Sequence, residues 1–252
     1  MIEIFILSII QGITEFLPIS SSSHLYLFAN YIDFEDRGLS IDVSLHIGSL
    51  IAVVVYFNKY LIEFVKNKEL LLKILFTSFP VMIVGFILIK FNIIDKIRNI
   101  ETIAWTTIVF GILLYISDCF KLEKEIKVNF NYKAVFFVGF LQVLSLIPGV
   151  SRSGISITAA RFLKFKRSDS AKIAFLTSIP TLGAVSLFGF YNLATSQNIN
   201  FSIMNLISIF LSFFFSYFTI KYFLKYIQKF SLKIFVIYRI FLGTILLLII
   251  YL

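Results

Sequence analysis

The sequence predicts an all-α integral membrane protein of about six transmembrane helices plus two re-entrant helical hairpins in an inverted-topology repeat. Three observations carry this expectation. Of the 252 residues, 59% are apolar and 15% charged, with a mean hydropathy of +0.93, more apolar surface than a soluble domain of this length can bury. Six segments are long and apolar enough to cross a bilayer. Two further apolar regions, 2–30 and 134–163, are broken near their middles by Pro18 and by Pro148-Gly149, each followed by serines. The longest polar gaps are about a dozen residues, too short for a soluble domain. The chain 1–252 therefore reads as a single polytopic domain, divided into halves of roughly 1–120 and 130–252.

The first ten residues are apolar, with Glu3 and no preceding Lys or Arg, which is not the basic start of a cleaved signal peptide, so they are expected to belong to the mature fold. In the region 2–30 each arm is a half-helix of about 14 residues rising about 21 Å, short of a hydrocarbon core of about 30 Å. Such a hairpin enters and leaves on one side. Spans are expected at 43–57, which is short, then 70–89 and 102–118. The second hairpin, 134–163, precedes spans at 173–193, 204–224 and 234–252. Asp42 and Asp118 fall at span ends, where interfacial solvation is expected, and His46 reads as a structural residue with no evident partner.

Charge in the connections tests this order, because Lys and Arg gather on the cytoplasmic side. With the N-terminus outside, the inner connections 58–69, 119–133, 161–172 and 221–233 hold most of the basic residues, including Arg161 and Arg167. The outer ones are the acidic 31–42 with only Arg37, the weaker case 90–101, and the uncharged 194–203. The first hairpin then enters from outside and the second from inside. A trace of the implied repeat is present at an offset of 130, where "EFLPISSSS" lies over "SLIPGVSRS".

The hairpin tips carry the chemistry. Pro18 stops the incoming half-helix, and Ser20, Ser21, Ser22 and Ser23 stand where a second one begins, with hydroxyls available as caps. A helix N-terminus at membrane depth is a ready anion site. After Pro148 and Gly149, Ser151, Arg152, Ser153 and Gly154 repeat the device, and an arginine there calls for an anion or a cavity to receive it. If the tips meet near the midplane, they enclose a pocket suited to a phosphate. Gln11 and Glu15, four apart, share a helix face. A carboxylate beside a phosphate repels it unless a divalent metal bridges them or the carboxyl is protonated, which makes Glu15 a metal ligand or an acid–base group. His24, three residues after Ser21, is placed to assist a hydroxyl nucleophile. These parts add up to phosphoryl transfer.

Two motifs in this order resemble a known family. "QGITEFLPISSSSH" is similar to the [E/Q]-x-x-x-E segment with its following Pro, serines and His, and "PGVSRSGIS" to the P-G-x-S-R-S-x-x-T segment, of the bacterial undecaprenyl-diphosphate phosphatases associated with bacitracin resistance. The resemblance implies hydrolysis of undecaprenyl diphosphate to undecaprenyl phosphate and phosphate, recycling the lipid carrier of cell-wall synthesis. It also implies a divalent cation, Mg²⁺ or Ca²⁺, a multi-pass location in the bacterial cytoplasmic (inner) membrane and a site facing the extracytoplasmic side. By motif position Glu15, Ser21, His24 and Arg152 take catalytic places, with Glu15 also the metal place. Gln11, Ser20, Ser22, Ser23, Ser151, Ser153 and Ser156 take substrate-binding places. Two positions depart from the pattern: Gln11 stands where Glu is frequent, leaving one carboxylate for a metal, and Ser156 replaces Thr while keeping the hydroxyl.

Other classes fit less well. The net charge of +9 is spread over connections, as in a membrane protein, so no nucleic-acid partner is expected; the partners are a polyprenyl diphosphate lipid and the membrane, with a homodimer left open. The single Cys119 excludes an intramolecular disulfide and a thiolate metal cluster. No glycine-rich nucleotide loop is present, so ATP use is not expected. The rival is a transporter or flippase of polyprenyl phosphate, since broken helices at the midplane are also carrier architecture. A carrier has no need of Glu15, Ser21 and His24 together, and attack by water instead of Ser21 stays open.

Overall fold

Proline and serine interrupt the chain where the apolar runs are too short to cross, and long uninterrupted runs form the spans. The computed structural model describes residues 2–31, 39–66, 68–195 and 202–252. Residues 32–38 and 196–201, the middles of two predicted outer connections and the site of Arg37, lie outside the described residues.

The first hairpin is α1 (Ile2–Thr14) and α2 (Ser21–Tyr31). It is followed by α3 (Leu39–Tyr56), α4 (Asn58–Lys66), α5 (Lys68–Lys90), α6 (Ile93–Ile97), α7 (Ile100–Asp118) and α8 (Ile126–Asn129). The second hairpin is α9 (Tyr132–Gln142), a 3-10 turn at Val143–Leu146 and α10 (Arg152–Phe162). The chain ends with α11 (Arg167–Thr195), α12 (Ile203–Lys229) and α13 (Lys233–Tyr251). Among the described residues six helices, α3, α5, α7, α11, α12 and α13, are long and apolar enough to cross a membrane, so this is a multi-pass membrane protein. Phe79, Phe86, Phe140, Phe210 and Phe241 face outward while Ser and Thr hydroxyls fill much of the interior, the polarity expected where lipid is the solvent.

The hairpins are held by close helix contacts. α1 lies on α12 and α9 lies on α5, and in both a glycine permits the approach. A Cβ on Gly12 would come within 2.5 Å of Phe215 Cβ, and one on Gly139 within 2.7 Å of the Thr77 carbonyl oxygen. α3 packs against both α11 and α12, and α7 against both α10 and α13. The first hairpin opens beside the start of α3, where Ile4, Leu7 and Leu25 cluster with Ile41, Leu45 and Met204. The second opens beside the end of α7.

That end is organised by Asp118, which is buried instead of interfacially solvated. Its carboxylate accepts two hydrogen bonds from Arg167, at 2.7 and 3.1 Å, and one from the Leu232 N–H at 3.0 Å, while Arg161 Nε stands 3.4 Å away. Arg161 is fully buried and also donates to the carbonyls of Phe120 and Phe165. Arg161 and Arg167 thus anchor helix ends, because α7, α10, α11 and α13 meet there and both guanidinium groups face one carboxylate. The same anchoring lets α11 begin at Arg167, ahead of the expected 173, with Asp169 accepting the Ile126 N–H at 3.2 Å.

Candidate active site

Both hairpin tips use the same backbone device. Ser20 (φ 74°) and Ser151 (φ 72°) take the left-handed conformation, uncommon for residues other than glycine, and each is followed at once by a helix, α2 or α10. Ser151 Oγ caps α10 by accepting the Gly154 N–H at 3.1 Å, while Ser20 Oγ lies 2.9 Å from Ser23 Oγ. Past the prolines the correspondence is therefore shifted by one from the expected register, pairing Ser20 with Ser151 and Ser21 with Arg152. Gly149 (φ 92°) supplies the extra residue; a Cβ there would meet Thr106 Oγ1 at 2.0 Å.

The first residues of the two inner half-helices converge on one carboxylate. Ser21 Oγ donates to Glu15 Oε2 at 2.5 Å, and Arg152 Nη2 forms an ion pair with Oε1. Gln11 Nε2 donates to Oε2 at 3.0 Å, as four-residue spacing on α1 allows. Arg152 Nη1 donates to Thr181 Oγ1 on α11 at 2.6 Å, which fixes the guanidinium from behind. The Glu15 side chain is 6% exposed and that of Arg152 17%. The tips are also tied directly, with Ser153 Oγ donating to the Leu17 carbonyl at 2.7 Å.

The other motif residues lie around this centre. Ser22 is exposed, its Oγ 3.4 Å from Ser20 Oγ, and Ser151 Oγ lies 3.2 Å from Ser153 Oγ. Ser156 is fully buried, and its hydroxyl has no hydrogen-bond partner among the described residues. His24 does not bond Ser21. Its Nδ1 is 2.7 Å from the Ser20 carbonyl, which only accepts, so Nδ1 carries a hydrogen. Its Nε2 is 2.6 Å from Tyr238 Oη, and the two rings stack with centroids 5.7 Å apart. The Ser21 hydroxyl, at the first position of its helix, turns back to Glu15 instead.

Besides Thr181, further contributors come from outside the motifs. His46 Nδ1 lies 3.2 Å from Gln11 Nε2, and Ser49 Oγ 3.4 Å, so His46 has a polar partner beside the site. Their three-residue spacing on one face of an apolar span was the available signal. Tyr238 holds His24. Arg239, fully buried in α13, donates to backbone carbonyls of both tips; an arginine in the middle of an apolar run was its mark in the sequence.

For a divalent cation the relevant donors are oxygens. Among the described residues no three His, Cys, Asp or Glu side chains converge. Beside Glu15, however, Gln11 Oε1 is buried with no hydrogen-bond partner, a hard oxygen oriented by the same side chain that binds the carboxylate. One carboxylate and one amide oxygen fit a cation whose other ligands are water and phosphate.

The family profile described as "Bacitracin resistance protein BacA" matches residues 4–245. The chain belongs to the BacA family. Both motifs that meet at Glu15 fall within the matched BacA region, as do His46, Tyr238 and Arg239. The chain is 49% identical over 251 residues to a protein named undecaprenyl-diphosphatase from Pelagibacter ubique (strain HTCC1062), covering 99% of this chain and 98% of that one. It is 36% identical over 261 residues to one of the same name from Jannaschia sp. (strain CCS1), covering 98% of each. It is 34% identical over 264 residues to another from Ruegeria sp. (strain TM1040), covering 100% and 99%.

Proposed function

We propose that this BacA-family chain hydrolyses undecaprenyl diphosphate to undecaprenyl phosphate and inorganic phosphate. Full-length similarity to proteins named for that reaction supports it, and membership of a family named for bacitracin resistance fits an enzyme that regenerates the lipid carrier. The observation that carries the mechanism is the convergence of Ser21 and Arg152, each the first residue of a half-helix, on the buried Glu15. A basic group, a hydroxyl and a guanidinium within direct contact are the parts of phosphoryl transfer to a nucleophile.

In the reaction we propose, Arg152 exchanges Glu15 for an oxygen of the terminal phosphoryl group while Thr181 keeps the guanidinium in place. Glu15, freed of its ion pair, takes the proton of Ser21 Oγ as that oxygen forms a bond to phosphorus. The bond to the bridging oxygen breaks and undecaprenyl phosphate leaves, taking the proton from Glu15; water then attacks the phosphoserine, giving its proton to Glu15, which returns it to Ser21 Oγ as phosphate departs. His24, its Nδ1 hydrogen held by the Ser20 carbonyl, orients the loop before Ser21. When bound by Glu15 and Gln11 Oε1, Mg²⁺ or Ca²⁺ supplies positive charge for the diphosphate oxygens.

The setting follows from the same features. We place the chain in the bacterial cytoplasmic membrane as an inverted repeat, α1–α7 against α9–α13. The support is the exchange of partners, α1 on α12 and α9 on α5, and the matching tips. The basic connections near Asp118 lie on the cytoplasmic face, so the first hairpin and the route to Glu15 open outward.

Phosphate release from a polyprenyl diphosphate by the purified full chain in detergent tests the reading, with and without chelator. Ser21→Ala is expected to abolish release, and acid quench of the parent to trap phosphoserine at Ser21. Parental turnover by Ser21→Ala would assign the attack to water, with Glu15 as its base. A folded parent that binds lipid phosphate and releases none would favour the transporter.

A further inference from the structure

A buried arginine needs an explanation that the two motifs do not give. Arg239 is fully buried in a membrane-spanning helix and, among the described residues, has no carboxylate partner. Four backbone carbonyls receive it instead. Nε donates to Thr107 at 3.1 Å, Nη1 to Pro18 at 3.1 Å and Val150 at 3.0 Å, and Nη2 to Gly149 at 2.9 Å. Thr106 Oγ1, from α7, donates to the Pro148 carbonyl at 2.6 Å. Three consecutive carbonyls of the second tip, 148 to 150, are thus held by side chains of α7 and α13, together with one carbonyl of the first tip. The room is prepared: a Cβ on Gly111 would lie 3.1 Å from Arg239 Cβ, and one on Gly154 3.1 Å from its Nη1.

Peptide geometry turns these contacts into a statement about the anion site. The described chain has no cis peptide bonds, and in a trans peptide the N–H points opposite to the carbonyl. Holding the carbonyls of Pro148 and Val150 therefore directs the N–H groups of Gly149 and Ser151 the other way. Neither N–H has a hydrogen-bond partner among the described residues. N–H groups turned to one side beside residues of positive φ, here those of Gly149 and Ser151 on either side of the Val150 N–H that donates to the Ile147 carbonyl at 3.3 Å, offer two donors to an anion. Free rotation of these peptide units would bring carbonyl oxygens toward a diphosphate and repel it.

We propose that Arg239 is a positioning residue for the phosphate site: together with Thr106 it holds the carbonyls of the second tip so that the N–H groups of Gly149 and Ser151 face the substrate diphosphate, and through the Pro18 carbonyl it fixes the first tip against the second. It touches neither Glu15 nor Ser21 and acts through the backbone. The assignment rests on the diphosphatase reading above and adds a residue that neither motif contains.

The test compares the full chain with Arg239→Lys and Thr106→Val in detergent, measuring kcat and KM for a polyprenyl diphosphate, thermal unfolding, and binding of inorganic pyrophosphate. A lysine keeps the charge and reaches too few carbonyls to fix both tips. At a temperature where each variant is fully folded, Arg239→Lys is expected to lose about 100-fold in kcat/KM, through both a lower kcat and a higher KM, as for a removed oxyanion donor. Thr106→Val, which leaves the buried charge untouched, is expected to lose about tenfold in kcat/KM, and it decides the matter if Arg239→Lys does not fold. Pyrophosphate binding should weaken in the same order. Folded Arg239→Lys with parental kcat/KM, or Thr106→Val with parental kcat/KM and pyrophosphate affinity, would overturn the positioning role. No phosphate release by the parent is a different result and would overturn the phosphatase reading beneath it.

Discussion

Glu15 is the residue on which the site turns, because two helix starts that are 131 residues apart in sequence reach it from different hairpins. Arg152 bridges Thr181 and Glu15 with separate nitrogens, which a single ammonium cannot do. Arg152→Lys is therefore expected to lose about 100-fold in kcat/KM for polyprenyl diphosphate, read from initial rates of phosphate release. Full activity would mean that charge alone suffices. Glu15, Ser21 and Arg152 were legible as candidates because a proline followed by hydroxyls, or by an arginine, is conspicuous in an apolar run. The partners were less so. His24 is bound to a tyrosine 214 residues away and Arg239 to a carbonyl 221 residues away, and no local pattern reports such a contact.

At the scale of elements, the six spans and both hairpins follow from run length and proline placement. Their ends do not. α11 starts at Arg167 because Arg167 and Asp169 find partners there, and α12 runs on to Lys229 with Leu224 and Ile227 buried in the core, tertiary effects that hydropathy does not see. The Asp118 node is the clearest case, since a span-end aspartate looks solvated until the arginines of two other elements close over it. Asp118→Asn leaves Arg161 buried without a counter-charge and is expected to cost about 3–5 kcal/mol of stability. Thermal unfolding in detergent measures this, with KM for the lipid unchanged because the hydrogen bonds at Asp118 and those at Glu15 share no residue. An unshifted transition would show that water already satisfies the pair.

For the whole molecule, the single cysteine offers a direct test of orientation. Cys119 follows α7 at the Asp118 end and is exposed, so it reports on which face that end lies. In intact spheroplasts a membrane-impermeant maleimide is expected to leave it unmodified and to label it after permeabilisation. Labelling from outside would reverse the proposed topology. The tips have a bearing on the membrane as well as on the reaction. Each hairpin arm is too short to cross the bilayer by itself, so in the proposed topology the tips, tied by Ser153 to Leu17 and by Arg239 to Pro18 and Val150, form part of the barrier. Parting the tips should make the protein conduct. Vesicles containing Ser153→Ala with Arg239→Met are expected to dissipate an imposed proton gradient faster than vesicles containing the parent. A phosphatase built this way must keep its seam closed to small ions while it admits a phosphate from one side.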